Sequence, residues 1–168
     1  MRRKISLDTS QLQDLIDELN DYQKGLEEKC ILLTNRLAEV GIKVINIEYG
    51  SGYSDPTTDK SHRVWYEPQT NMMRGTIIVE GEDILFIEFG AGIRLNEGKE
   101  HPKAAEMGYG VGTYPGQTHA FDPNGWYYRK DGKLYHSFGT EASMPLYKAV
   151  FEICEQAEKI AKEVFNSG

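Results

Sequence analysis

The 168-residue chain reads as an α+β domain. The expected architecture is an antiparallel sheet of about four to five strands, packed by a long N-terminal helix and a C-terminal helix. Three observations predict it. Apolar residues recur at gaps of three and four near both ends of the chain. Short β-prone runs with period-two alternation lie between them. From Gly90 to Gly125 neither period survives, and glycine and aromatic residues take over.

The first helix spans residues 9–40. Leu12, Leu15, Leu19, Tyr22, Leu26, Cys30, Leu33, Leu37 and Val40 fall on one face, as helical spacing requires. Asp8, Thr9 or Ser10 can cap its first turn, and Gly41 stands where a glycine stop belongs. Gly25 is a weak point, costing about 1 kcal/mol relative to alanine. At 1.5 Å per residue the helix reaches roughly 46 Å. That is long for the domain, so part of it is expected to project beyond the core or pack on a neighbouring subunit. Ile31 and Leu32 widen the apolar stripe where the sheet should dock.

Strands are expected within residues 42–89. Ile42–Tyr49 is β-prone, and Gly50–Pro56 is a loop by composition. Arg63–Glu67, Met73–Glu80 and Ile84–Phe89 follow as strand candidates, with Gly81-Glu82-Asp83 joining the last two as a hairpin. Ile84, Phe86 and Glu88 would face one side, and Leu85, Ile87 and Phe89 the other. Residues 90–125 form a long loop, usually a sign of a functional or mobile segment. Residues 126–136 form a hairpin around Asp131-Gly132, a favoured type I′ pair. Residues 143–166 form the last helix, with Ser143 as N-cap and Pro145 near the first turn. Leu146, Val150, Ile153, Ala157, Ile160 and Val164 make its buried stripe. No repeat or linker divides the chain, so one domain is expected.

Composition is that of a globular protein, 39% hydrophobic and 27% charged. A net charge of −7 argues against nucleic-acid binding, which shows a basic face. No apolar run is long enough to span a membrane. Arg2, Arg3 and Lys4 precede an amphipathic, acidic segment rather than the apolar core of a signal peptide. Cys30 and Cys154 sit at core spacing on separate segments and read as two buried, reduced thiols, implying an intracellular folding site; a disulfide is the alternative.

Glu88 has two readings. A carboxylate among apolar neighbours would have a raised pKa, as catalytic acids do. Alternatively it accepts hydrogen bonds from loop N–H groups or an arginine and pins the glycine-rich segment. No second acid lies at motif spacing, so the structural reading is preferred. Glu88, Phe89, Gly90 and Gly92 then form a structural hinge. His62, His101, His119 and His136 are scattered without a metal motif, and His101 with Glu106 is too poor a pattern for ligands. Gly108–Thr113 resembles a phosphate loop only loosely, lacking the lysine and the following helix. No serine or cysteine sits in a nucleophile elbow. No catalytic residue, metal or cofactor is therefore expected. Gly125–Lys133 has a local likeness to the aromatic hairpins of choline-binding cell-wall repeats, but only one copy is present.

Phe86-Ile87-Glu88-Phe89-Gly90-Ala91-Gly92 and the segment Gly139–Tyr147 leading into the last helix carry a wider likeness. With His101-Pro102, Gly112–Gly116 and Gly125–Tyr128, they make the chain resemble the tail-component family of long-tailed bacteriophages, the tail-completion, head–tail joining or neck proteins. The likeness covers most of residues 9–166. Ala91 departs from it, since many relatives carry threonine after Glu-Phe-Gly. The resemblance implies a structural virion protein without enzymatic activity, forming a sixfold ring that completes the tail or joins it to the head connector. Implied partners are further copies of itself, the head-connector and tail-tube or terminator proteins, and DNA passing without specific binding; no membrane is involved. The implied location is the virion neck or tail, after assembly in the host cytoplasm. A tail-terminator ring and a monomeric cell-wall or partner-binding module are the alternatives.

Rings need two different patches on one subunit. The over-long helix and the glycine- and aromatic-rich loop are the expected pair, with Tyr109, Tyr114, Phe121, Trp126, Tyr127 and Tyr128 as candidate interface anchors. Glu88→Ala is expected to cost roughly 1–3 kcal/mol, and Gly90→Val more if Gly90 has positive φ. Deleting part of Gly98–Gly116 is expected to spare the fold and impair assembly.

Overall fold

The first helix does not stop at Gly41. The computed structural model describes residues 9–51, 58–69 and 73–166. In chain order its elements are α1 (Thr9–Ser51), β1 (Arg63–Gln69), β2 (Arg74–Glu80), α2 (Ile84–Phe89), α3 (Ile93–Asn96), α4 (Ala104–Met107), β3 (Trp126–Lys130), β4 (Lys133–Ser137) and α5 (Pro145–Asn166). The basic start at Arg2–Lys4, the cap candidate Asp8 and most of the Gly50–Pro56 loop lie outside the described residues.

α1 runs for 43 residues and takes in Ile42–Tyr49, read from sequence as a strand. Ala38, Gly41, Ile45 and Tyr49 are its buried positions, at gaps of three and four that only a helix presents to one side. Gly41 is a seat rather than a stop. A Cβ there would stand 2.7 Å from the Cδ1 atoms of both Ile153 and Ile77, so the bare backbone admits α5 and β2 at close range.

α5 lies antiparallel to α1. Glu48 pairs with Lys148 at 2.5 Å and Arg36 with Glu163 at 2.8 Å, while Lys29 Nζ donates to the Phe165 carbonyl at 3.3 Å. Since α5 ends at Asn166, about 20 residues of α1, roughly 30 Å, extend beyond it. Leu12, Ile16, Leu19, Tyr22 and Leu26 on that extension are exposed.

The expected sheet of four to five strands is replaced by two separate two-stranded sheets. β1 and β2 pair antiparallel, Arg63 opposite Glu80 and Gln69 opposite Arg74. Their inner side chains Val64, Ile77 and Val79 pack on the core of Ile45, Tyr49, Ile87 and Ala149. β2 therefore pairs backward with β1 instead of forward with Ile84–Phe89. That run is a helix. Ile87 N–H donates to the Asp83 carbonyl and Gly90 N–H to Phe86, and Ile87, Glu88 and Phe89 are buried in succession. A short apolar run gives no period that separates a strand from a buried helical turn; burial on every side suited the helix. β3 and β4 form the expected hairpin, Trp126 opposite Ser137 and Lys130 opposite Lys133. Asp131 and Gly132 both take positive φ, 51° and 74°, as a type I′ turn demands.

Residues 90–125 are packed against the body. They contain the single-turn helices α3 and α4 and bury His101, Tyr114, Gln117 and Ala120. A deletion within Gly98–Gly116 that takes His101 or Tyr114 removes a buried side chain, so such a deletion is expected to weaken the fold rather than spare it. The cysteine reading also changes: Cys30 is half-buried, and Cys154 is exposed on α5.

Candidate functional site

α5 begins without a capping side chain of its own. Lys148 N–H donates to the Met144 carbonyl, so Met144, not Ser143, holds the N-cap position. Pro145 next has no N–H to satisfy. The next two orphan donors are met from α2: Leu146 N–H donates to Glu88 Oε2 at 2.8 Å and Tyr147 N–H to Glu88 Oε1 at 3.0 Å. Glu88 thus caps a helix 58 positions along the chain, where a carboxylate also complements the positive end of the helix dipole.

A third donor completes the group. His101 Nε2 lies 3.0 Å from Glu88 Oε1, with both side chains almost fully buried. Lys103 N–H donates to His101 Nδ1 at 3.1 Å, so Nδ1 is the acceptor nitrogen and the ring proton sits on Nε2, directed at Glu88. The imidazole is held between Phe89 and Tyr147, ring centroids 4.7 Å and 5.1 Å away. Both ring nitrogens and both carboxylate oxygens are engaged. An arrangement with the composition of a catalytic dyad is here an internal strut, almost fully buried and held by hydrogen bonds from within the chain.

The hinge residues after Glu88 lock the same junction. Gly90 has φ 74° and ψ 177°, a conformation essentially confined to glycine. Ala91 and Thr140 exchange both backbone hydrogen bonds, at 2.7 and 2.8 Å, and Ser143 N–H donates to the Ile87 carbonyl. Gln117 ties the long segment in, donating to the Gly90 carbonyl at 3.3 Å and accepting from Gly112 N–H. Sequence reasoning missed His101 and Gln117 as partners because neither stands at a motif spacing from residue 88 or 90; only the fold of the intervening segment brings them there.

The six aromatic interface candidates separate. Tyr114 is buried and meets Phe86 edge-on at 5.4 Å, leaving no face for a partner. Tyr109 is half-buried against Phe89. Trp126 and Tyr128 line a groove of about 310 Å³ with Phe86, Ala91 and Thr140. Phe121 and Tyr127 are exposed. Tyr127 lies on the outward face of the β3–β4 hairpin, stacked on His136 at 4.3 Å.

The Tyr49 and Tyr114 hydroxyls are buried with no hydrogen-bond partner among the described residues. Burial pushes the Tyr114 hydroxyl well above the ordinary tyrosine range, and burial followed by the charge of Glu88 does so for Tyr49. Both stay protonated in the fold while unfolded tyrosine ionises near pH 10, so this contribution is present below about pH 10 and lost as pH rises beyond it. Tyr114→Phe removes an unpaired polar group and is expected to be neutral or to stabilise by about 1 kcal/mol. Its melting temperature should also fall less steeply than wild type between about pH 9 and 11; a marked loss of stability at neutral pH would show that the hydroxyl is used.

Among the described residues no group of three His, Cys, Asp or Glu could hold a metal ion, and no helix is long and apolar enough to cross a membrane. Compared with family models, curated proteins and solved structures, the chain finds no match.

Proposed function

We propose that this chain is a structural ring protein of the phage virion neck, which completes the tail or joins it to the head connector without enzymatic activity. The observation that carries the reading is the part of α1 that overhangs α5 with Leu12, Ile16, Leu19, Tyr22 and Leu26 exposed. A single chain gains nothing by ordering a helix whose apolar stripe meets water, whereas a neighbouring subunit can cover it. The consumption of Glu88 and His101 in an internal strut supports a scaffold over a catalyst. The resemblance supplies the sixfold number and the neighbours, and the acidic balance of the chain suits a conduit that must not hold passing DNA.

Light scattering on a size-exclusion column, with negative-stain imaging, tests this. Closed rings of uniform size are expected, alone or on tail tubes. A strict monomer at high concentration in both settings would overturn the reading. The outward Tyr127–His136 stack favours one alternative, a monomeric module binding cell wall or a partner through that hairpin.

A further inference from the structure

We propose that the overhanging segment of α1 docks on the outward face and tip of the β3–β4 hairpin of the next copy of this chain. The inference rests on the ring reading and names the two surfaces that meet.

Each surface has an uncovered apolar centre. On α1, Leu19 is 57% and Tyr22 70% exposed; on the hairpin, Tyr127 is 67% and Leu134 60% exposed. Tyr127, Arg129, Leu134 and His136 share one side of the two-stranded sheet, because partners and alternate residues line one face.

Charge selects this pairing. Between Leu12 and Glu28 the helix carries six carboxylates and one ammonium, Lys24. The hairpin carries Arg129, Lys130 and Lys133 against Asp131, and among the described residues neither Arg129 nor Lys133 enters an ion pair. A helix stripe rimmed by acids and a hairpin rimmed by bases are complementary, which fixes partner and orientation as well as speeding encounter. The competing arrangement, bundling of α1 overhangs with one another, would cover the same leucines. It would also bring together two segments that each carry six carboxylates against one ammonium, a like-charge pairing that disfavours association. Helix to hairpin is a heterologous contact, the kind that repeats around a ring.

Charge reversal tests the pairing. The hairpin variant R129E/K133E and the helix variant D17K/D21K alter only exposed side chains, and circular dichroism and melting temperature verify that each folds. In light scattering each variant is expected to fall from the ring mass to that of one 19.1 kDa chain, and the chain carrying all four substitutions is expected to regain the ring mass. A ring that survives either reversal overturns the interface while leaving the ring reading intact. Loss in both variants without recovery in the combined chain overturns the pairing as well. Loss in the helix variant alone overturns it in favour of bundled overhangs. A wild-type chain that is monomeric throughout overturns this inference and the ring reading together.

Discussion

Glu88→Ala is expected to destabilise the monomer by about 3–5 kcal/mol, because it strands one buried and two half-buried donors at about 1–3 kcal/mol each, with partial relief from relaxation and solvent. Those donors are the N–H groups of Leu146 and Tyr147 and the His101 Nε2–H. Such a loss is a large share of the ~5–15 kcal/mol that holds a domain together. It exceeds the cost expected from sequence, where the number of dependents could not be seen. Glu88→Gln is expected to cost less than alanine but still about 2 kcal/mol, since an amide NH2 must point at one of the donors it replaces an acceptor for. Urea unfolding at a concentration where the chain is monomeric gives the comparison. A wild-type midpoint in Glu88→Ala would mean that the start of α5 is held by something else.

Gly139→Ala is the second large effect, expected to cost at least about 3 kcal/mol through a left-handed backbone and a backbone clash combined. Gly139 has φ 101°, and a Cβ there would lie 1.9 Å from the Ala91 carbonyl oxygen. That oxygen accepts from Thr140 N–H in the bridge that keeps α2 beside the approach to α5. Alanine must push the two segments apart, and Glu88 moves with them. Gly90→Val acts on the same junction from the other side, at φ 74°. If Gly139→Ala melts at the wild-type temperature, the bridge is dispensable and the strut alone carries the junction.

The parts of the fold legible in the sequence were those whose period is long and local. The stripes of α1 and α5 and the Asp131-Gly132 hairpin repeat over enough residues, or use turn chemistry specific enough, to declare themselves, although within α5 Val150 is exposed and Ala149 takes the buried place expected of it. Two errors share one cause. Ile42–Tyr49 and Ile84–Phe89 are rich in β-branched and aromatic residues, and both are helical because tertiary packing overrides that weak preference. For the first, Ala38, Gly41, Ile45 and Tyr49 continue a helical spacing, and a glycine that admits close packing has the same appearance in sequence as one that ends a helix. For the second, no pattern existed, since consecutive residues are buried together. At the site, a lone acid among apolar residues was visible as something to explain. Its partners were not, because two are backbone N–H groups, which no side-chain motif encodes, and the third is a histidine reached only after the chain folds back.

The strut also bears on how the chain folds. The first turn of a helix is ordinarily a local affair, closed by residues within a few positions of its start. Here the residues that complete it span Glu88 to Tyr147, and everything from Gly90 to Ser143 must be routed correctly before the carboxylate can arrive. Closing so long a loop carries an entropy cost that local helix formation does not. α5 is therefore expected to lie along α1 early and to have its beginning completed late. A properly started α5 acts as a checkpoint, reporting that the irregular middle of the chain has found its place.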